Sequence, residues 1–406
     1  MVLAVVAVLV VSFTAAYALL SRTTGKSAEW RGAAEGPQAR ASAASPSPSA
    51  ALSPGGSACV TAKLGQLTVQ EKAGQVLMIG TSIASPATLA DTMRQYHLGG
   101  VFLSGHTTLS AATLSQSIAS LQGTARVAGD LPVQVALDQE GGEVQSLRGT
   151  DFPTIPSAVQ QGELSPSALR TQTTDWAQRL AHAGVSLDLA PVADIVPAGT
   201  ADLNPPIGQL DRQFGSTPAA VAQDVSTVVT AAQAAGVLTT LKHFPGLGRV
   251  RENTDKSTKA VDNTTTVTDP SLDPFASGIH AGTAAVMISS ATYPKLDPHS
   301  IATFSSAIVT GLLRQRLGFT GLIISDDLGA AVAPSIVPAG QRAVRFIQAG
   351  GDMVLTVKSS DAGPMVDALV AAAQGSAAFA AQLNEAARQV VASKVRAGLV
   401  NCPASG

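Results

Sequence analysis

The chain has 406 residues, 45% hydrophobic and only 13% charged, with a mean hydropathy of +0.24. It can therefore bury a large core within one large or two medium domains. Its charged share is roughly half of the usual ~25%, its formal charge is −2, and it lacks any zinc-type Cys/His spacing, so nucleic acid and other polyanionic partners are excluded.

Residues 1–20, MVLAVVAVLVVSFTAAYALL, are apolar for about the length that crosses a bilayer, and Arg22 and Lys26 follow. Residues 1–26 read as an export element. It is either a signal peptide cleaved near Ala16-Tyr17-Ala18 or an uncleaved membrane anchor, since no basic segment precedes the run. Residues 27–58 are rich in Ala, Ser, Pro and Gly, cannot pack a core, and read as a disordered linker. The globular region is placed at 59–406, with the two cysteines, Cys59 and Cys402, at its ends. In an exported chain two thiols pair, so a disulfide between them is expected. Membrane contact is expected only through the N-terminal segment, in an extracellular or cell-envelope protein that acts as a monomer.

Beyond residue 60, short apolar runs alternate with longer amphipathic segments. The predicted strands are 76–80, 100–103, 133–138, 185–191, 237–243, 284–290, 321–327 and 353–357. Each is nearly continuous in its apolar character, as parallel strands covered on both faces are. Between them lie helical patterns such as PAAVAQDVSTVVTAAQAAG (218–236), where Val221, Val225, Val228 and Ala232 recur at helical spacing and Gly236 marks the stop. Eight βα units over about 340 residues predict an α/β fold of the (β/α)8, TIM-like type in a single catalytic domain. No GxGxxG follows the first strand to favour an open doubly wound sheet.

In such a barrel chemistry sits on the loops at the C-terminal strand ends. Strand three ends in Asp138-Gln139-Glu140-Gly141-Gly142, strand five in Lys242-His243, and strand seven in Ser325-Asp326-Asp327. A cationic pair at a strand mouth, followed by a glycine-punctuated loop with carboxylates, suits a sugar-processing site.

Six motifs in order, ALDQEGGEVQ (136–145), LDLAPVADI (187–195), IGQLDRQFG (207–215), KHFPGLG (242–248), AAVMIS (284–289) and IISDDLGA (323–330), resemble those of glycoside hydrolase family 3. The similarity is to its single-domain bacterial β-N-acetylglucosaminidases, which trim N-acetylglucosamine from peptidoglycan fragments. This resemblance implies a TIM-like barrel, no metal or organic cofactor, a small carbohydrate substrate and a retaining mechanism. It maps the nucleophilic aspartate onto Asp326, the first of the pair, whose carboxylate would attack the anomeric carbon and later leave as an ester. Asp138 would accept hydrogen bonds from hydroxyls at the non-reducing end of the sugar, and Arg212, Lys242 and His243 would hold the hydroxyls and the N-acetyl region.

The chain departs from the family on the loop after KHFPGLG. Relatives carry an Asp-x-His pair there, the histidine acting as general acid/base; here the corresponding residues are Asn253 and Asp255, and the loop has no histidine. Asp255 is the candidate to take over, with Glu252 in reserve, giving a two-carboxylate site with carboxyls about 5–5.5 Å apart. Its pKa would have to be raised, and the nearby anionic Asp326 would raise it. Two further departures are Glu143-Val144-Gln145-Ser146, where relatives have Arg-Val-Gln-Arg, and Ser290, where they often carry a histidine. Arg148 is a candidate replacement for the lost cation. These changes bear on the aglycone side of the site.

The resulting expectation is an exported β-N-acetylhexosaminidase releasing terminal N-acetylglucosamine from wall-derived fragments or related glycosides. The alternatives are a β-glucosidase-like or phosphorolytic family member, and a catalytically weak wall-sugar binding protein that keeps Asp138, Arg212 and Lys242.

Overall fold

A computed structural model describes residues 53–127 and 131–402. The apolar run at 1–20 and the linker up to residue 52 lie outside the described residues. Among those described, no helix is long and apolar enough to cross a membrane.

The stretch 27–58 was expected to be linker throughout, yet its last residues are helical: a helix covers Pro54–Gly65. The local chemistry explains the early start. Ser53 caps it by accepting a hydrogen bond from the Gly56 N–H at 3.1 Å, and Pro54 occupies the first turn, where its missing N–H costs nothing. Val60, 1% exposed, then packs on Val391 and Ala392 of the last helix, Ala377–Arg396. A linker-like composition does not prevent a capped helix with a small apolar face from docking. Cys59 in this helix is bonded to Cys402, with their Cα atoms 5.7 Å apart.

The described chain forms eight parallel strands around a common axis: β1 Leu77–Ser82, β2 Gly100–Ser104, β3 Gln134–Leu137, β4 Leu187–Asp188, β5 Leu238–Phe244, β6 Ala285–Ile288, β7 Leu322–Ser325 and β8 Val354–Thr356. Each pairs with its sequence neighbours, and β1 pairs with β8 in the register Leu77↔Val354. The ring closes through a single parallel bridge between Ile324 of β7 and Met353, supported by the Ser325 N–H donating to the Met353 carbonyl at 3.0 Å. This is the expected (β/α)8 barrel. Strands β1, β3, β5, β6, β7 and β8 are buried along most or all of their length, because the axis covers one face and the helices the other.

Helix Pro218–Ala234 shows the pattern at work. Val221, Val225, Val228 and Ala232 are its buried stripe, and Gly236 beyond it adopts φ +94°, a left-handed conformation that side chains disfavour. Strand four is shorter than the predicted 185–191. Pro191 has no N–H to offer a ladder, so next to it the contact with β5 rests on carbonyls, Thr240 N–H to Ala190 O at 2.9 Å and Lys242 N–H to Pro191 O at 3.3 Å, and beyond it a single bridge, Val192 with Lys242, resumes with the Ala193 N–H donating to Lys242 O at 2.7 Å.

After β3 the DQEGG segment turns back on itself as a small antiparallel ribbon, Gln139–Gly141 with Val144–Gln145. Gly141 makes the turn with φ +108°. A Cβ there would lie 2.2 Å from the Pro156 carbonyl oxygen, so only glycine fits. This ribbon places side chains of β3 and of its loop over the mouth of the barrel.

Candidate active site

The strand ends converge on a cavity of about 610 Å³ at the C-terminal mouth, within the roughly 300–1,000 Å³ typical of small-molecule sites. Asp138, Arg212, Lys242, His243, Asp255 and Asp326 all line it. Glu252, the reserve residue, is exposed and does not. The Cys59–Cys402 bond is formed by the two ends of the barrel chain and contributes no side chain to the cavity.

On one wall, Lys242 at the end of β5 places Nζ 2.5 Å from Asp138 Oδ1 and 2.5 Å from Glu140 Oε1. Arg212, from the loop after β4, grips Glu140 with two parallel bonds, Nε to Oε2 at 2.8 Å and Nη2 to Oε1 at 2.7 Å. Burial works against the charge of Glu140, but Arg212 and Lys242 outweigh it and hold its pKa down at about 2. Burial likewise disfavours the Lys242 cation, and the carboxylates of Asp138 and Glu140 more than compensate, raising its pKa. Asp188, at the end of β4, accepts from the Gln139 N–H at 3.1 Å. Burial drives its pKa up to about 7 despite the opposing Lys242 charge.

His243 is fixed from behind by Asp194, and the same carboxylate also binds the backbone N–H of His243 and of Leu247. His106, on the loop after β2, also lines the cavity, with Nδ1 2.9 Å from the Gln145 carbonyl oxygen.

On the other wall, β7 ends in two aspartates with different environments. Asp327 is consumed by the backbone: its Oδ1 accepts from the N–H groups of Gly329 and Val357, and its Oδ2 from those of Ala330 and Ala331. These bonds hold the start of the loop after β7 and tie it to the end of β8. Among the described residues, the Asp326 side chain accepts the Asp327 N–H at 2.8 Å, and Asp326 is half-buried in the cavity. Its pKa is pushed up to about 6, first by burial, opposed by His243 when that ring is charged, and reinforced by the negative charge of Asp255.

Asp255 is exposed on a turn in which its N–H binds Asn253 Oδ1 at 2.8 Å. Thr254 beside it is buried, and the turn is tied to the β7 loop by the N–H of Ala333 to Thr254 O (3.0 Å) and of Val332 to Asp255 O (3.3 Å). Position 253 therefore holds the turn that presents position 255.

Arg148 does not turn into the site as a substitute cation. Its Nε and Nη2 donate to the carbonyls of Gln145, Gly142 and Glu143, while Glu143 itself is exposed at the cavity rim. Ser290 is buried against Thr303, 3.3 Å between hydroxyl oxygens. The sequence reading did not single out Glu140, Asp188, Asp194 or His106. Glu140, Asp188 and Asp194 lie within the motifs quoted above, but nothing in one sequence says which motif carboxylates face the cations. Among the described residues, no cluster of His, Cys, Asp and Glu is arranged to hold a metal ion.

Fold and site together define a (β/α)8 barrel with paired carboxylates and cations around a polar cavity at its C-terminal mouth. The profile of the glycosyl hydrolase family 3 N-terminal domain matches residues 68–393, and the chain belongs to that family. It is 34% identical over 253 residues to a beta-hexosaminidase of Xanthomonas oryzae pv. oryzae, covering 59% of this chain and 71% of that protein. It is 30% identical over 312 residues to the beta-hexosaminidase LpqI of Mycobacterium tuberculosis, covering 75% and 76%. Among solved structures it is similar to a beta-N-acetylhexosaminidase from Beutenbergia cavernae, with 42% identity and a TM-score of 0.79 over 81% of this chain and 99% of that one.

Proposed function

We propose that the protein is a retaining β-N-acetylhexosaminidase that releases terminal non-reducing N-acetylglucosamine from peptidoglycan-derived fragments or related N-acetylhexosaminides. The observation that carries this reading is Asp326, a half-buried carboxyl at the end of β7 that shares one cavity with Asp138, Arg212, Lys242 and His243. The beta-hexosaminidase names of its relatives support the substrate class.

In the proposed reaction Asp138, Arg212, Lys242 and His243 orient the terminal sugar. The Asp326 carboxylate attacks the anomeric carbon while Asp255, protonated, delivers its proton to the departing glycosidic oxygen. A glycosyl ester forms on Asp326 and the aglycone leaves as an alcohol. Water then attacks the same carbon, gives its proton to the Asp255 carboxylate, and frees Asp326. The same proposal includes a monomer exported to the cell envelope or beyond, held by or released from its N-terminal segment. The Cys59–Cys402 bond is consistent with that oxidising location.

A second reading, a catalytically weak wall-sugar binding protein, is favoured by the exposure of Asp255 and the absence of a loop histidine. The discriminating experiment is turnover of chromogenic N-acetyl-β-glucosaminides and β-glucosides by the wild type, with and without phosphate, beside Asp326→Ala. Phosphate-independent release from the N-acetylglucosaminide, abolished in Asp326→Ala, is expected. No turnover of any β-hexosaminide would leave the binding reading.

A further inference from the structure

We propose that Glu140 is the positioning residue of the sugar subsite, a buried carboxylate that holds Arg212 and Lys242 in the pose in which they meet a sugar. This rests on the hexosaminidase reading only for the identity of the sugar. The backbone explains how Glu140 comes to be there. Asp138, Gln139 and Glu140 follow one another in extended chain, so side chains alternate in direction. Gln139 turns away and bonds both the Leu147 carbonyl (3.0 Å) and the Leu147 N–H (2.9 Å). Asp138 and Glu140, two residues apart, both face Lys242. The Glu140 carbonyl is itself held by Gln161 Nε2 at 2.8 Å.

The two acids differ in what remains available to a ligand. The Asp138 side chain is 27% exposed and lines the cavity, whereas that of Glu140 is 4% exposed and fully engaged. One carboxylate therefore faces the ligand and the other faces only the cations. Arg212 and Lys242 both bind Glu140, so a neutral Glu140 would leave these buried cations without a charged partner they now share.

The geometry of Arg212 follows from this arrangement. Glu140 takes its Nε and one Nη2 hydrogen, and the Pro206 carbonyl takes an Nη1 hydrogen at 2.7 Å. The remaining N–H groups are then directed by the fork and are not free to rotate. One such direction leads to His243: Nη2 lies 3.4 Å from its Nε2. A guanidinium can only donate, and on the other side of the ring His243 Nδ1 meets Asp194 Oδ2 at 2.7 Å. Glu140 thus acts on three subsite residues without touching the substrate.

The test compares full-length wild type, Glu140→Gln and Glu140→Asp, each verified as folded by thermal melting. KM and kcat are measured on an aryl N-acetyl-β-glucosaminide, and the Kd of free N-acetylglucosamine is measured by calorimetry. Glu140→Gln is expected to raise KM and Kd together by about 100-fold, the scale of a small misplacement of binding groups, with Glu140→Asp recovering part of the loss. Added to Lys242→Gln, Glu140→Gln should cost less than it does alone, because part of its effect passes through that lysine and the rest through Arg212. A folded Glu140→Gln that melts lower but keeps wild-type KM and Kd would overturn the proposal. If that variant does not fold, unchanged constants in Glu140→Asp would overturn it. Wild type that binds N-acetylglucosamine without turning over any glycoside would refute the hydrolase reading alone, and the binding arm would still decide the role of Glu140. Wild type that neither binds nor turns over would refute both.

Discussion

The His243 imidazole is locked by Asp194, Nδ1 to Oδ2 at 2.7 Å, and the Asp194 side chain has no exposed surface. Its other oxygen accepts the N–H of His243 at 3.1 Å and of Leu247 at 2.8 Å, so one carboxylate shapes both the side chain and the loop of the KHFPGLG segment. Asp194→Ala strands three donors in the interior. At about 1–3 kcal/mol for each buried unmade bond, the expected loss is at least ~3 kcal/mol. Asp194→Asn keeps an acceptor for the two backbone groups and should lose less stability, yet still raise KM. Urea unfolding and steady-state kinetics on the same samples check both, and an Asp194→Ala protein as stable as wild type would refute the idea.

The elevated Asp326 carboxyl makes a pH prediction. Its pKa rises from 3.8 to about 6 in the fold, chiefly through burial. The folded state thus binds this proton more tightly than the unfolded chain. Its contribution to stability is complete below about pH 3.8 and is lost as the pH climbs through about 6. Asp326→Asn, which cannot ionise, should therefore gain stability relative to wild type between pH 4 and 7, with the difference level above that. In the wild type, the acid limb of kcat/KM should fall near pH 6, since the attacking carboxylate must be ionised. A stability difference that is flat across this window would contradict the assignment.

Asp255 is tested by leaving-group chemistry. If it protonates the departing oxygen, Asp255→Ala should lose about 10²–10⁴-fold on substrates with poorly acidic aglycones. It should lose far less on dinitrophenyl glycosides, which need no proton, and added azide should restore turnover as the glycosyl azide. Equal losses on both substrate types would remove Asp255 from the proton-transfer role.

The bond between Cys59 and Cys402 joins residues 343 apart in sequence. Closing so long a loop restricts the unfolded chain, and its removal by reduction or by Cys402→Ser should cost about 2–5 kcal/mol. The check is thermal melting with and without reductant, alongside mass analysis under non-reducing conditions. Two free thiols in the native protein would contradict the pairing.

The barrel was legible because its evidence is local. An apolar run such as AAVMIS has the same composition whether or not its neighbours are known, and being covered on both faces leaves little alternation to misread. The exceptions also had local causes: Pro191 shortened β4, and the Ser53-Pro54 cap started a helix inside a linker-like stretch. The division of labour between Asp326 and Asp327 was harder to see. Adjacent identical residues differ only in what surrounds them, four backbone N–H groups for Asp327 and an open cavity for Asp326.

By itself the sequence determined the eight strands, the order of the motifs and the strand ends that carry polar residues, since each depends on neighbours along the chain. Only the tertiary structure decided which of those residues meet. Lys242 and Asp138 are 104 positions apart, Arg212 and Glu140 are 72, and His243 and Asp194 are 49. Their pairing, the suppression of the Glu140 proton and the elevation of that on Asp326 arise from charge and burial in three dimensions. Those quantities exist only once the ring of strands has closed.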